Sequence, residues 1–164
     1  MESLAKAGGV TRQTIHNLFR TRTGVLETLF DQIARDGGME RMREVMMSSD
    51  AQAMLDGFIA VFSNFWGKNR LLLKRIHGIA AVDPEFGEAI KARNQRRQMG
   101  ATRVIERLDG GTQEPSTDTK AERIASLVAL TSFEFFDALV ESLGTVEAAK
   151  KQLPGLIRKA LLKN

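Results

Sequence analysis

Apolar residues recur at intervals of three and four along most of this chain, and no stretch alternates apolar with polar as a half-buried strand does, so the pattern predicts an all-α protein. Leu26, Leu29, Phe30 and Ile33 form one stripe, interrupted at Gly37-Gly38, and Met39, Met42, Val45 and Met46 resume it as far as Ser48-Ser49-Asp50. Asp50 is suited to cap a helix carrying Met54, Leu55, Phe58, Val61, Phe62 and Phe65, expected to end at Trp66-Gly67 and to be followed by another over about 69–81. Asp83-Pro84 is a strong helix start, because proline at the first helical position lacks only an N–H that would be unpaired anyway. The helix it opens carries Phe86, Ile90, Ala101, Val104, Ile105 and Leu108 and closes at Asp109-Gly110-Gly111. Residues 109–118, rich in Gly, Pro, Ser and Thr, read as a surface loop. A helix over 119–143 is apolar around most of its circumference, which predicts burial on more than one side. Gly144 ends it, Thr145 caps the last helix, and Pro154 is expected to kink or restart that helix before Leu156, Ile157, Ala160 and Leu161.

Residues 4–19, LAKAGGVTRQTIHNLF, have a different character. Ala5 is small enough for two helices to approach, Gly9 suits a tight turn, Val10 and Ile15 can fill the crevice between the helices, and Thr11 offers an N-cap hydroxyl. This is helix-turn-helix spacing. The second helix of such a corner, roughly 11–18, presents Arg12, Gln13 and His16 on one side, where a major groove can receive them.

The segment resembles the DNA-binding half of the TetR family of bacterial transcriptional regulators. Leu4-Ala5, Gly8-Gly9-Val10-Thr11, Thr14-Ile15-His16 and Phe19 fill the places of that family's pattern, and residues 21–26, TRTGVL, resemble the start of its fourth helix. His16 stands where the family usually has a Tyr that touches a DNA phosphate. The family also opens with a further helix that this chain lacks before Met1, so an N-terminally truncated head is expected. The resemblance implies a helix-turn-helix DNA-binding head with a linker helix over 1–36, and a helical ligand-binding and dimerisation body over 37–164. It implies a ligand-responsive repressor that binds a palindromic operator in double-stranded DNA as a homodimer. The alternative is a small-molecule-binding helical dimer that has lost DNA binding with the first helix of the head.

Composition narrows the chemistry. The chain has 164 residues, 43% of them hydrophobic, which is enough for a folded domain. There is no cysteine, which removes disulfides, thiolate catalysis and cysteine zinc sites, and the two histidines, His16 and His77, are far apart, so neither metal nor cofactor is expected. No apolar run approaches the roughly 20 residues that span a bilayer, and no signal peptide is evident, so cytoplasmic residence and no membrane partner are expected. A net charge of +4 is too small to identify a polyanion partner by itself, but Lys6, Arg12, Arg20 and Arg22 face only Glu2 within the first 22 residues.

Arg12 and Gln13 are the expected base readers, since arginine pairs bidentately with guanine and glutamine with adenine; Thr11, Thr14, His16, Asn17 and Arg22 suit phosphates or a thymine methyl. In the body, Phe58, Phe62, Phe65, Trp66, Phe86, Phe133 and Phe136, with His77 as polar partner, are candidates to line a cavity for a small apolar or amphipathic ligand. The same spacing also serves core packing. Asn64, Asn94, Thr131, Ser132 and Glu134 are further polar candidates. Ile124, Leu127, Val128, Phe135, Leu139, Leu156, Ile157 and Ala160 are candidates for dimerisation. Lys91, Arg93, Arg96 and Arg97 read as a solvated helix face. The Glu134 and Asp137 pair reads as salt-bridging rather than catalytic, and nothing else suggests an enzyme. Replacing Arg12 by Ala is expected to cost about 1–3 kcal/mol at a specific duplex and to relax one base preference, whereas His16→Ala weakens all duplexes alike; titration against a panel of single-base variants checks both.

Overall fold

The computed structural model describes residues 22–110 and 118–161, and within them every regular element is helical. The helices are α1 (Arg22–Asp36), a 3₁₀ turn (Met39–Arg41), α2 (Met42–Met47), α3 (Ala51–Ala80), α4 (Pro84–Asp109), α5 (Lys120–Leu130), α6 (Phe133–Leu143) and α7 (Val146–Leu161). The helix-turn-helix segment, with Thr11, Arg12, Gln13, Thr14, His16 and Asn17, lies outside the described residues, as does most of the 109–118 loop. Arg22 opens α1, and its side chain also lies outside them.

Capping side chains set several boundaries where the sequence places them. The Asp50 carboxylate accepts from Gln52 N at 2.8 Å and Ala53 N at 3.3 Å, and Asp83 does the same for Glu85 N and Phe86 N ahead of Pro84. Thr119 and Glu122 form a reciprocal capping box at the start of α5. Thr145 Oγ1 accepts from Ala148 N at 3.1 Å at the start of α7. Gly38, at φ 77°, takes the left-handed conformation that carries the chain out of α1, and Lys68 of α3 donates to the Asp36 carbonyl at the end of that helix.

Helix α3 is the axis of the fold and packs against α2, α4, α6 and α7. It runs unbroken for 30 residues, where the sequence pattern divides it at Gly67. A glycine costs a helix interior only about 1 kcal/mol. Here its missing side chain admits α7, since a Cβ on Gly67 would lie 2.7 Å from Val146 Cγ1. The expected restart at Pro154 is likewise absent, and α7 continues through it. Losing one helical hydrogen bond to proline costs about 3 kcal/mol. Ala149, Leu153, Ile157 and Leu161 are all buried along one stripe of α7, and burying each large aliphatic side chain contributes about 1.5–3 kcal/mol, so packing prevails.

The opposite correction applies to 119–143, which is two helices. Thr131 and Ser132 interrupt it, and Ser132 Oγ caps α6 by accepting from Phe135 N at 3.1 Å. Thr131 is fully buried, so the carbonyls freed at this break need partners inside the protein. Trp66 Nε1 donates to Thr131 O at 3.0 Å, Thr131 Oγ1 donates to Leu127 O at 2.6 Å, and Arg97 donates to Val128 O.

Phe30 and Ile33 of α1 belong to the same core as α3, α4 and α7. No helix among the described residues is long and apolar enough to cross a membrane. Ser132→Ala is expected to destabilise the protein by about 0.5–2 kcal/mol in urea titration, because it removes an N-cap. A continuous helix would instead gain stability from alanine, so the sign decides.

Candidate functional site

Four segments enclose a cavity of about 350 Å³, within the range of about 300–1,000 Å³ of small-molecule sites. From α1 come Phe30, Asp31 and Ala34, and from the 3₁₀ turn and α2 come Met39, Met42 and Met46. The wall supplied by α3 is Phe58, Phe62, Phe65, Trp66, Leu73 and His77, and α4 closes the site with Ile90, Arg93, Asn94, Arg96, Arg97 and Gly100. Methionine side chains are flexible and polarisable, so the α2 wall can adapt its shape.

The α3 wall is aromatic because four rings fall on one face of that helix. Phe58 and Phe62 meet edge-on with centroids 4.9 Å apart, Phe62 stacks on Trp66 at 5.7 Å, and Phe65 meets Trp66 edge-on at 4.8 Å. Phe58, Phe62, Phe65, Trp66 and His77 thus come together as a lining, as the sequence suggests for them. Phe86, Phe133 and Phe136 do not line it. Phe133 stands behind the wall, 5.7 Å from Trp66 and 4.7 Å from His77 between ring centroids, Phe136 is fully buried in the core, and Phe86 is half-buried at its edge. Among the other polar candidates Asn94 reaches the lining, whereas Asn64 lies on a separate surface groove with Asp56, Lys150 and Arg158.

The α4 wall corrects the reading of Lys91, Arg93, Arg96 and Arg97 as one solvated face. Lys91 and Arg96 are exposed, but Arg97 is only 6% exposed, and the Arg93 guanidinium lies 4.0 Å from the centre of the Phe30 ring. The cause is helical phase: Arg97 is one turn before Ala101 and two before Val104, on the stripe that faces the core. The gap in apolar spacing between Ile90 and Ala101 was the available signal. Arg97 donates to Val128 O, to Thr131 Oγ1 at 3.3 Å and to Asn94 Oδ1 at 3.2 Å, while its Nε is buried with no partner. Among the described residues no carboxylate lies within ion-pair distance of it. Burial depresses its pKa below the ordinary arginine value, against a smaller opposing influence of Glu134.

A second polar cluster binds α3 to α6. His77 Nδ1 donates to Glu134 Oε1 at 3.0 Å, and Arg70 and Lys74 reach Asp137 at 2.7 and 3.3 Å. Glu141 is paired with the same two cations and is held below its ordinary carboxyl pKa by hydrogen bonds from Lys74 and then Arg70. The hydrogen bond from His77 draws the Glu134 pKa down to about 2, against the opposing effect of burial. Asp137 is therefore engaged in ion pairs and Glu134 in a hydrogen bond from His77.

The dimerisation candidates separate into two groups. Leu127 and Ile157 are completely covered by their own chain, so a second subunit would have nothing of them to bury. Ile124, Val128, Phe135, Leu139, Leu156 and Ala160 are half-buried on α5, α6 and α7 and keep apolar surface exposed. Comparison with protein-family models, with curated proteins and with solved structures found no match for this chain.

Because Glu134 titrates lower in the folded protein than its ordinary 4.5, its link to His77 stabilises the fold above about pH 4.5 and is lost as pH falls toward about 2. Urea stability of wild type and Glu134→Gln is expected to differ fully above about pH 5 and to converge by pH 2. The 64% exposure of the carboxylate keeps this difference small.

Proposed function

We propose that this chain is a ligand-responsive DNA-binding regulator, with residues 11–17 as reader and the aromatic cavity as sensor, acting as a homodimer in the manner that its resemblance to the TetR family implies. The observation that carries the reading is that α1 lines the cavity and follows closely in sequence on the helix-turn-helix-like segment. It begins at Arg22, three residues after the helix-turn-helix-like segment, and Phe30, Asp31 and Ala34 on its later turns form one wall of the cavity. A molecule in the cavity touches the helix that leads to the reader.

Supporting features are the basic bias of the first 22 residues and the apolar surface of α5, α6 and α7. One short recognition helix reads only a few base pairs, so specificity calls for two copies on a near-palindromic site. A ligand that prefers the body with α1 displaced lowers DNA affinity by its difference in affinity between the two arrangements and by no more. The repressor's operator is then vacated as ligand accumulates.

Selection from a random duplex pool is expected to enrich a palindrome whose binding weakens steeply with salt. Ala34→Phe, which places a ring where α1 meets the cavity, is expected to lower affinity for that duplex at least tenfold while sedimentation still reports a dimer. Enrichment of no sequence, or a monomer at micromolar concentration, rejects the regulator.

A further inference from the structure

The cavity is apolar around most of its wall, yet α4 contributes three arginines to it, against Asp31 as the one acidic residue in the lining. An apolar ligand alone would leave that asymmetry without use. Arg97 is the informative member. A buried guanidinium is normally matched by a carboxylate, since a charge withdrawn from water without a counter-ion is costly. Here its partners are two neutral carbonyl-type oxygens and a hydroxyl, at Val128, Asn94 and Thr131. They occupy its terminal nitrogens and leave Nε, more than nine-tenths buried with its side chain, with no acceptor. Asn94, whose Oδ1 is taken by Arg97, keeps its amide donors.

We propose that the cavity takes an amphipathic carboxylate, its apolar body against Phe58, Phe62 and Trp66 and its head beside Arg97 and Asn94. The lining discriminates among anions. Arg97 and the Asn94 amide offer donors to the two oxygens of a singly charged carboxylate, Arg93 is bonded to Ala89 O and lies over Phe30, and Asp31 in the same lining opposes the second negative charge that a phosphate monoester would bring. The head also supplies an ion-pair partner to a guanidinium that has none within ion-pair distance among the described residues. This deepens the regulator reading by naming its ligand but rests only on the sensor half, so it is tested on protein free of DNA, and its failure leaves the duplex-selection result standing.

Trp66 is the only tryptophan in the chain and lies in the cavity wall, so its emission reports occupancy. Titration of wild type with decanoate below its micellar concentration is expected to saturate with a Kd at least tenfold lower than that for decan-1-ol, which has the same tail and no charge. Arg97→Gln is expected to bring the two ligands within about threefold of each other, and Arg97→Lys to retain part of the preference. Should Arg97→Gln fail to fold, the wild-type comparison decides alone. Equal or tighter binding of decan-1-ol, tighter binding of decyl phosphate, a tenfold preference surviving in folded Arg97→Gln, or absence of decanoate binding by both Trp66 emission and calorimetry would each overturn the proposal.

Discussion

The break between α5 and α6 is a helix end inside the protein, and its need for hydrogen-bond partners organises much of what surrounds it. Thr131 is sealed from solvent, so water cannot satisfy the carbonyls released there. Trp66 and Arg97 supply the donors from α3 and α4. An unpaired buried polar group costs about 1–3 kcal/mol, comparable to a core methyl deletion or more, which makes these two side chains structural elements as well as surfaces. Each is held on one side by the break and presents its remaining surface to the cavity. That part of the cavity wall is thereby held in place by the fold itself.

Rigidity is unequal around that site. The α3 and α4 walls are fixed by the break, by the stacked rings and by the ion pairs that join Arg70, Lys74 and His77 to α6. The wall formed by the 3₁₀ turn and α2 is three methionines, and α1 is attached through Phe30, Ile33 and the bond from Lys68 to the end of the helix. Differences of this kind decide which element yields when a cavity fills: α2 has no fully buried side chain, and α1 is held by Phe30 and Ile33 among its described side chains. In the regulator reading α1 is also the element with consequences, because it follows in sequence the segment proposed to meet DNA.

Much of the architecture was legible in the residues. Asp50, Asp83 and Thr145 capped helices as their chemistry predicts, and the aromatic face of α3 was evident from spacing alone. The errors share one cause. Gly67 and Pro154 read as breaks because their intrinsic preferences are known, but the partners that outweigh those preferences, Val146 above Gly67 and the core beneath α7, come from distant sequence. Thr131 and Ser132 were passed over as helix interior because neither is a strong breaker; their role depends on Trp66 and Arg97 being near enough to receive the freed carbonyls. Arg97 was misplaced because a run of four basic residues suggests a wet surface before one asks which of them falls on the apolar stripe.

Local chemistry therefore determined the helical class, most helix starts and the existence of an aromatic face, since those depend on residues within one or two turns. Which helices fuse, which one divides, and which arginine is withdrawn from water were decided only by tertiary structure. Each of those outcomes is a contest between a local preference of about 1–3 kcal/mol and long-range burial of similar or larger size, and the winner depends on neighbours that sequence order does not bring together.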